Sequence, residues 1–209
     1  MIKNYASFTT EDLYVVFGNA CMINIDSDFR NKGVSTDSRT IEPGNIFVAI
    51  RGERYDGHDK VPEAFEKGAS AAIVDKLWYK ENHELIEDKS AIIVDDTLDA
   101  LGALAYFHRL RFDYPVIAVA GSNGKTTTKD MIAHVLSQKY NVLKTYLNYN
   151  NRIGLPLVLF TMSNEYDMAV IEIGTNQPGE IAILSEVAAP THGLITNISE
   201  EHLEFLIDL

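Results

Sequence analysis

The sequence predicts an α/β fold in two parts: a small N-terminal α/β domain over residues 1–96 and a second domain over 97–209 built on a mainly parallel sheet. Three observations carry this. Short apolar runs at 46–50, 71–74, 91–94, 116–120, 168–173 and 193–196 are bounded by turn residues, as strands are. Segments with helical spacing lie between several of them. In the second half the runs are continuously apolar rather than alternating, the pattern of strands in a parallel sheet covered on both faces.

In chain order, Pro43-Gly44-Asn45 precedes the strand at 46–50 and Gly52 follows it. Val61, Ala64 and Phe65 share one face of a helix over 61–67, which Gly68 stops before the strand at 71–74. A charged stretch, 80–89, leads to the strand at 91–94, and the domain boundary is placed near Asp96. Thr97 is the expected cap of the next helix, with Asp99 at the positive end of its dipole and Leu98, Leu101, Leu104, Ala105 and His108 on one face. Val142 and Leu143 make a weaker fourth strand of the second sheet.

Composition narrows the function. Thirty acidic against 18 basic residues leave a net charge of −12, which repels phosphate backbones and anionic leaflets, so neither nucleic acid nor a membrane is an expected partner. A small anion is still compatible, since a few backbone N–H groups and one lysine can hold a phosphate locally. The single cysteine, Cys21, cannot close an intramolecular disulfide, and the start MIKNYASFTTED has no basic and apolar leader pattern. With no apolar run near the ~18 residues of a spanning helix, a soluble, cytoplasmic protein is expected.

The strongest chemical signal is the strand at 116–120 running into Gly121-Ser122-Asn123-Gly124-Lys125-Thr126-Thr127-Thr128 and then an amphipathic segment with Met131, Ile132, Val135 and Leu136. This is the order of a P-loop. Glycines let backbone N–H groups converge on phosphate, a helix N-terminus adds its dipole, Lys125 neutralises charge, and the Thr126 hydroxyl can ligate Mg²⁺. The general pattern places a further glycine where this chain has Val119, so the match is to a variant with glycines at 121 and 124. A glycine turn serving packing alone is the competing reading.

Glu172 stands in an otherwise apolar run, where an unpaired carboxylate costs several kcal/mol and a bound cation, Mg²⁺ for economy, would compensate it. A strand-end Glu turned to solvent is the alternative. His202 opens a helix just past the strand at 193–196, near where open α/β sheets bind ligands, and can meet metal or phosphate there; a place on a surface helix is the commoner one. The polar loops 148–156 and 174–181 carry carboxamides, Asn148 and Asn151 among them, suited to amide or hydroxyl groups, although such residues are also ordinary turn formers. In the first half, Ser35-Thr36-Asp37-Ser38-Arg39 and Asp56-Gly57-His58 are the polar clusters beside strands; Arg39 can fork onto a phosphate or sit in a surface ion pair.

Taken in order, the segments 35–39, 43–52, 56–58, 121–129, 148–156, 172–181 and 195–203 make the sequence similar to the Mur ligases of bacterial cell-wall synthesis. Residues 150–156 and 174–181 resemble the branch that joins D-alanyl-D-alanine to UDP-N-acetylmuramoyl-tripeptide, and the branch adding the third amino acid is the alternative. The resemblance implies a monomeric ATP-dependent ligase that forms its amide through an acyl phosphate. Gly121, Ser122, Asn123, Gly124, Lys125, Thr126 and Thr127 would bind the ATP phosphates, and Thr126, Glu172 and His202 would hold Mg²⁺. Ser38 and Arg39 would contact the uridine diphosphate end, with Asn148 and Asn151 also on substrate. It further implies a longer chain, with a carbamylated lysine and a closing third domain beyond Leu209, so the 209 residues are expected to form an incomplete central domain without turnover of their own. A P-loop phosphotransferase or other NTPase, and a non-catalytic module for the UDP-precursor, are the readings from other classes.

Overall fold

The computed structural model describes residues 4–52, 55–175 and 177–199. The chain divides into two compact units, Met1–Leu104 and Ala105–Leu209.

In the first unit, helix α1 (Thr10–Phe17) begins at a reciprocal cap: the Thr9 hydroxyl accepts the Asp12 N–H, and the Asp12 carboxylate accepts the Thr9 N–H at 2.8 Å. Strands β1 (Met22–Ile23), β2 (Val34–Ser35), β3 (Ile46–Val48), β4 (Ala71–Asp75) and β5 (Ala91–Val94) form a sheet in the order β1-β5-β4-β3-β2, parallel except for β1 against β5. Helix α2 (Val61–Glu66) seats Val61 and Ala64 against Phe47, Ala72 and Val74 in the core, and α3 (Lys76–Asn82) brings Trp78 to the same cluster. The apolar run 46–50 is regular strand only to Val48, although the Ala49 N–H still reaches Ile73 O at 3.0 Å.

Helix α4 (Thr97–Arg109) is capped by Asp96 rather than Thr97: the Asp96 carboxylate accepts the N–H of Leu98 at 2.7 Å and of Asp99 at 2.9 Å, while Thr97 is buried within the helix. A carboxylate answers both the free N–H groups and the positive end of the dipole, which a hydroxyl does less well. Leu101, Leu104, Ala105 and His108 are buried on one face, as their spacing requires, with Leu98 half-buried at its start.

In the second unit, β6 (Val116–Ala120), α5 (Lys125–Leu136), β7 (Val142–Lys144), α6 (Gly154–Leu159), β8 (Met168–Glu172), α7 (Glu180–Ala188) and β9 (His192–Ile195) follow in turn. The strands are all parallel, in the order β7-β8-β6-β9. From β6 the chain crosses to β7, returns to β8 and then passes to β9 on the other flank of β6. Strand order therefore reverses around β6, the place where open α/β sheets bind ligands beyond their carboxyl ends.

Helix α5 corrects one expectation. Met131 and Val135 are 65% and 68% exposed, whereas Lys129 and Ala133 are buried, with Ile132 and Leu136 partly so. The face laid on the sheet is thus phased from Lys125 in steps of three and four, and a lysine occupies one of its inner positions. Among the described residues no helix is long and apolar enough to cross a membrane.

Candidate active site

The loop leaving β6 must turn within a few residues, and its two glycines each have a physical reason. Gly121 has φ +124°, and a Cβ there would come within 2.9 Å of Asn197 O and of the Thr196 backbone nitrogen. Gly124, at φ +80°, sits immediately before α5, which starts without a side-chain cap, so the positive end of the helix dipole faces the loop. The segment after β9 holds the loop from the other side. Ser122 N–H donates to Asn197 O at 3.0 Å and Asn123 N–H to Asn197 Oδ1 at 2.8 Å. The Ser122 hydroxyl donates to Ser199 O at 2.9 Å, and that of Thr196 to Asn123 O at 2.6 Å. Lys125 folds back over the loop, its Nζ donating to Gly121 O at 2.6 Å and Ser122 O at 2.8 Å. Thr126 and Thr127 are exposed on the first turn of α5.

Glu172 ends β8 opposite Val119 of β6, one strand away from that loop, and is 2% exposed. Its backbone N–H donates to Thr145 Oγ1 at 2.8 Å, and its Oε1 accepts from Asn150 Nδ2 at 2.8 Å. Its Oε2 is buried with no hydrogen-bond partner among the described residues; the nearest cation is Lys129 Nζ at 3.9 Å. Lys129, itself 3% exposed, donates to Thr145 O at 3.1 Å. A buried carboxylate with one oxygen unsatisfied costs free energy unless something else reaches it, and the donor set is what Mg²⁺ uses when bound through one or two carboxylates plus phosphate oxygens and water. Among the described residues no group of three His, Cys, Asp or Glu gathers as a self-sufficient metal site, as that mode of binding requires none.

Reading the sequence alone passes over Asn150, Thr145 and Lys129. Asn150 lies in the polar loop already singled out, but Asn148 and Asn151 stand out equally by composition. Asn148 is exposed with its carbonyl accepting the Asn150 N–H at 2.8 Å, and Asn151 Oδ1 caps α6, accepting from Ile153 N–H at 3.1 Å and Gly154 N–H at 2.8 Å. Lys129 was findable as the residue four after Lys125 on the same helix face. Of the helix expected from 198, Ile198 and Ser199 are in no regular element; the rest of it, with His202, lies outside the described residues, which end at Ser199.

The polar clusters at 35–39 and 56–58 belong to the first unit. Ser38 is buried and its carbonyl accepts from Lys67 Nζ at 2.8 Å. Arg39 is exposed and grips Asp37 in a fork, Nε to Oδ1 at 2.9 Å and Nη2 to Oδ2 at 2.6 Å, which holds the Asp37 carboxyl below its usual range. His58, 1% exposed, donates from Nδ1 to Asp56 Oδ1 at 2.6 Å and accepts the Asp75 N–H on Nε2 at 3.1 Å. Arg51 spans both acids, 2.7 Å from Asp56 and 3.1 Å from Asp75. Burial alone would raise the Asp56 carboxyl, but the His58 N–H, Arg51 and the His58 ring outweigh it and hold it at about 2.

Comparison with known proteins places both units. The Mur ligase family, catalytic domain, matches residues 30–109, and the Mur ligase middle domain matches residues 119–209. A UDP-N-acetylmuramoyl-tripeptide–D-alanyl-D-alanine ligase from Synechocystis is 42% identical over 193 residues, covering 91% of this chain and 42% of the relative. A MurF crystal structure from Acinetobacter baumannii superposes with a TM-score of 0.84 at 32% identity, over 98% of this chain and 44% of that one. A Thermotoga maritima MurF ligase solved in complex with ADP gives 0.75 at 33% identity, over 84% and 39%. The chain thus spans about two fifths of the length of the relatives it matches.

Proposed function

The chain belongs to the Mur ligase family, and from that premise we propose that it carries the nucleotide-binding and UDP-precursor-binding parts of a ligase joining D-alanyl-D-alanine to UDP-N-acetylmuramoyl-tripeptide in the cytoplasm. The observation that carries this is the pairing of the Gly121–Thr126 loop on β6 with a buried, half-satisfied Glu172 on the adjacent strand. In the reaction, the tripeptide carboxylate attacks the γ-phosphorus of ATP and ADP leaves, giving an acyl phosphate. The dipeptide amine then attacks the acyl carbon, losing its proton as inorganic phosphate departs. Such phosphoryl transfer needs positioning and charge neutralisation more than covalent help. Lys125 would move from the loop carbonyls onto phosphate, and the first turn of α5 would present its N–H groups there. Mg²⁺, held by the Thr126 hydroxyl, Glu172 and His202, would offset phosphate charge. In the first unit, Ser38 and Arg39 would meet the uridine diphosphate end, with Asn148 and Asn151 serving substrate in the second.

Calorimetric titration with ATP–Mg²⁺ and, separately, with UDP-N-acetylmuramoyl-tripeptide tests this reading. Binding of both supports it. Binding of ATP alone would favour a general P-loop NTPase, and binding of the UDP-precursor alone a module without nucleotide chemistry.

A further inference from the structure

We propose that Lys129 is a positioning residue that couples cation binding to nucleotide: it serves as the built-in counter-charge of Glu172 in the nucleotide-free site, so that a divalent cation is held firmly only when phosphates accompany it. The inference rests on Glu172 being a cation ligand, as proposed above.

A lysine on the inner face of α5 needs an explanation, because lysines are almost never fully buried unless paired. Lys129 has one anchoring bond, to Thr145 O at 3.1 Å, and two acids nearby, Glu172 Oε2 at 3.9 Å and Asp130 Oδ1 at 3.5 Å. Asp130 is already bound by Lys144 at 2.8 Å. Toward Glu172 the ammonium stands too far for a hydrogen bond and close enough for a strong charge interaction in a buried setting. Its place is fixed, since Thr145 accepts Lys129 through its carbonyl and the Glu172 N–H through its hydroxyl, tying the lysine and the carboxylate to one residue. The result is a carboxylate whose charge is offset while Oε2 keeps its lone pairs open. A dication approaching that oxygen meets a fixed positive charge, and the negative charge that would offset both has to arrive with the ligand. A nucleotide diphosphate or triphosphate supplies it.

A merely structural lysine would predict a different outcome, which Mn²⁺ binding can read. Free Mn²⁺ is followed by electron paramagnetic resonance as the 209-residue chain is titrated, without nucleotide and with ADP, allowing for the Mn²⁺–ADP complex in solution. Without nucleotide, Lys129→Met is expected to bind Mn²⁺ at least about fivefold more tightly than the unaltered chain, the size of an ordinary coupling between two sites. Lys129→Arg, which keeps the charge, should stay within about twofold of it. The unaltered chain should bind Mn²⁺ about tenfold more tightly with ADP than without; if Lys129→Met fails to fold, Lys129→Gln, which removes the charge but keeps a donor for Thr145 O, takes its place with the same expected gain. Equal or weaker nucleotide-free binding by a folded Lys129→Met, or a Mn²⁺ affinity indifferent to ADP in the unaltered chain, overturns the coupling while leaving Glu172 a ligand. If Glu172→Gln leaves Mn²⁺ binding intact, the underlying reading of the site falls as well.

Discussion

At the carboxyl end of β4, the buried His58 has both ring nitrogens engaged, by Asp56 and by the Asp75 backbone, and Arg51 closes over the two acids. At the carboxyl end of β8, Glu172 has one oxygen engaged by Asn150 and one with no hydrogen-bond partner among the described residues. Both clusters are charged, centred on a fully buried side chain and set at the ends of parallel strands, so neither charge nor burial of that side chain distinguishes a structural cluster from a binding one. Saturation does. A network whose donors and acceptors match internally fixes the chain around it, here pinning Arg51 and the 56–58 segment to the start of α3, where the Asp75 carboxylate also accepts the Trp78 N–H at 2.7 Å. A network left one partner short has a place for a ligand, and it holds its shape through backbone contacts such as those of Thr145.

If that distinction is right, breaking the closed network should damage the fold of the first unit and nothing else. His58→Ala removes a fully buried ring and strands the Asp75 N–H, a loss of about 3 kcal/mol from cavity and unsatisfied donor together. The single tryptophan, Trp78, lies 5.7 Å from the His58 ring and reports that unit. The expected outcome is a large fall in the urea midpoint of Trp78 fluorescence with ATP–Mg²⁺ binding unchanged; an equal loss of nucleotide binding would erase the contrast.

Acid should separate the units next. Burial lowers the His108 imidazole in the second unit to about 4, against 6.5 when free. Because the unfolded chain takes up that proton first, the contribution is complete above pH 6.5 and is lost as pH falls toward 4, on the order of 3 kcal/mol in all. Asp56 runs lower: held at about 2, its contribution is present above about pH 4 and lost as pH falls toward 2. Between pH 7.5 and 5.0 the far-UV circular dichroism midpoint in urea should therefore fall further than the Trp78 midpoint. His108→Phe should remove most of that difference, and a Trp78 midpoint that falls as far would show that the two units do not titrate apart.

What was legible in the sequence follows the same division. The strand β6 begins and ends where its apolar run meets Pro115 and Gly121, and the α/β class with its second parallel sheet follows from such runs, because backbone pattern is local information. Glu172 was visible as a carboxylate where none belongs. Its partners were not: Asn150 is one of several equivalent carboxamides, and Lys129 reads as a surface charge until the phase of α5 is known, which Met131 and Val135 obscure by being apolar and outward. The Asp56-Gly57-His58 cluster stands out as polar in the sequence, but its closure by Arg51 and Asp75 depends on a loop path and a strand end that no local pattern encodes. Helix α3, which runs only into the start of the charged 80–89 stretch, buries no residue completely, so no apolar face marks it in the sequence.

The open site should tolerate change that the closed one does not. In Lys125→Ala the loop loses two hydrogen bonds onto its own carbonyls, groups that water can satisfy, so the unfolding midpoint should move by about 1 kcal/mol or less. Nucleotide affinity should fall about 10- to 100-fold, since a bond to a charged group contributes about 1.5–3 kcal/mol and each 1.4 kcal/mol is tenfold. Titration calorimetry with ATP–Mg²⁺ beside urea unfolding reads both, and a folded variant that binds normally would remove Lys125 from the site.

The smallest expected effect on the fold belongs to Arg39. Its fork onto Asp37 has good geometry, yet the guanidinium is exposed to water on nearly all sides, and an ion pair in that setting contributes little to stability. Arg39→Ala should leave the Trp78 midpoint in urea where it was. The fork matters for a different reason: Asp37, anchored through its own N–H to Ser35 Oγ and accepting the Arg39 N–H, holds the guanidinium preformed beside β2, with its remaining N–H groups available to an anionic group. Its removal should therefore weaken UDP-N-acetylmuramoyl-tripeptide binding several-fold, more so at low salt than at high, where screening already weakens exposed charges. Arg39→Lys should recover only part of the loss, because a point charge does not reproduce a planar fork. Unaltered precursor affinity in Arg39→Ala would make the Asp37–Arg39 pair an ordinary surface contact and remove Arg39 from the proposed site.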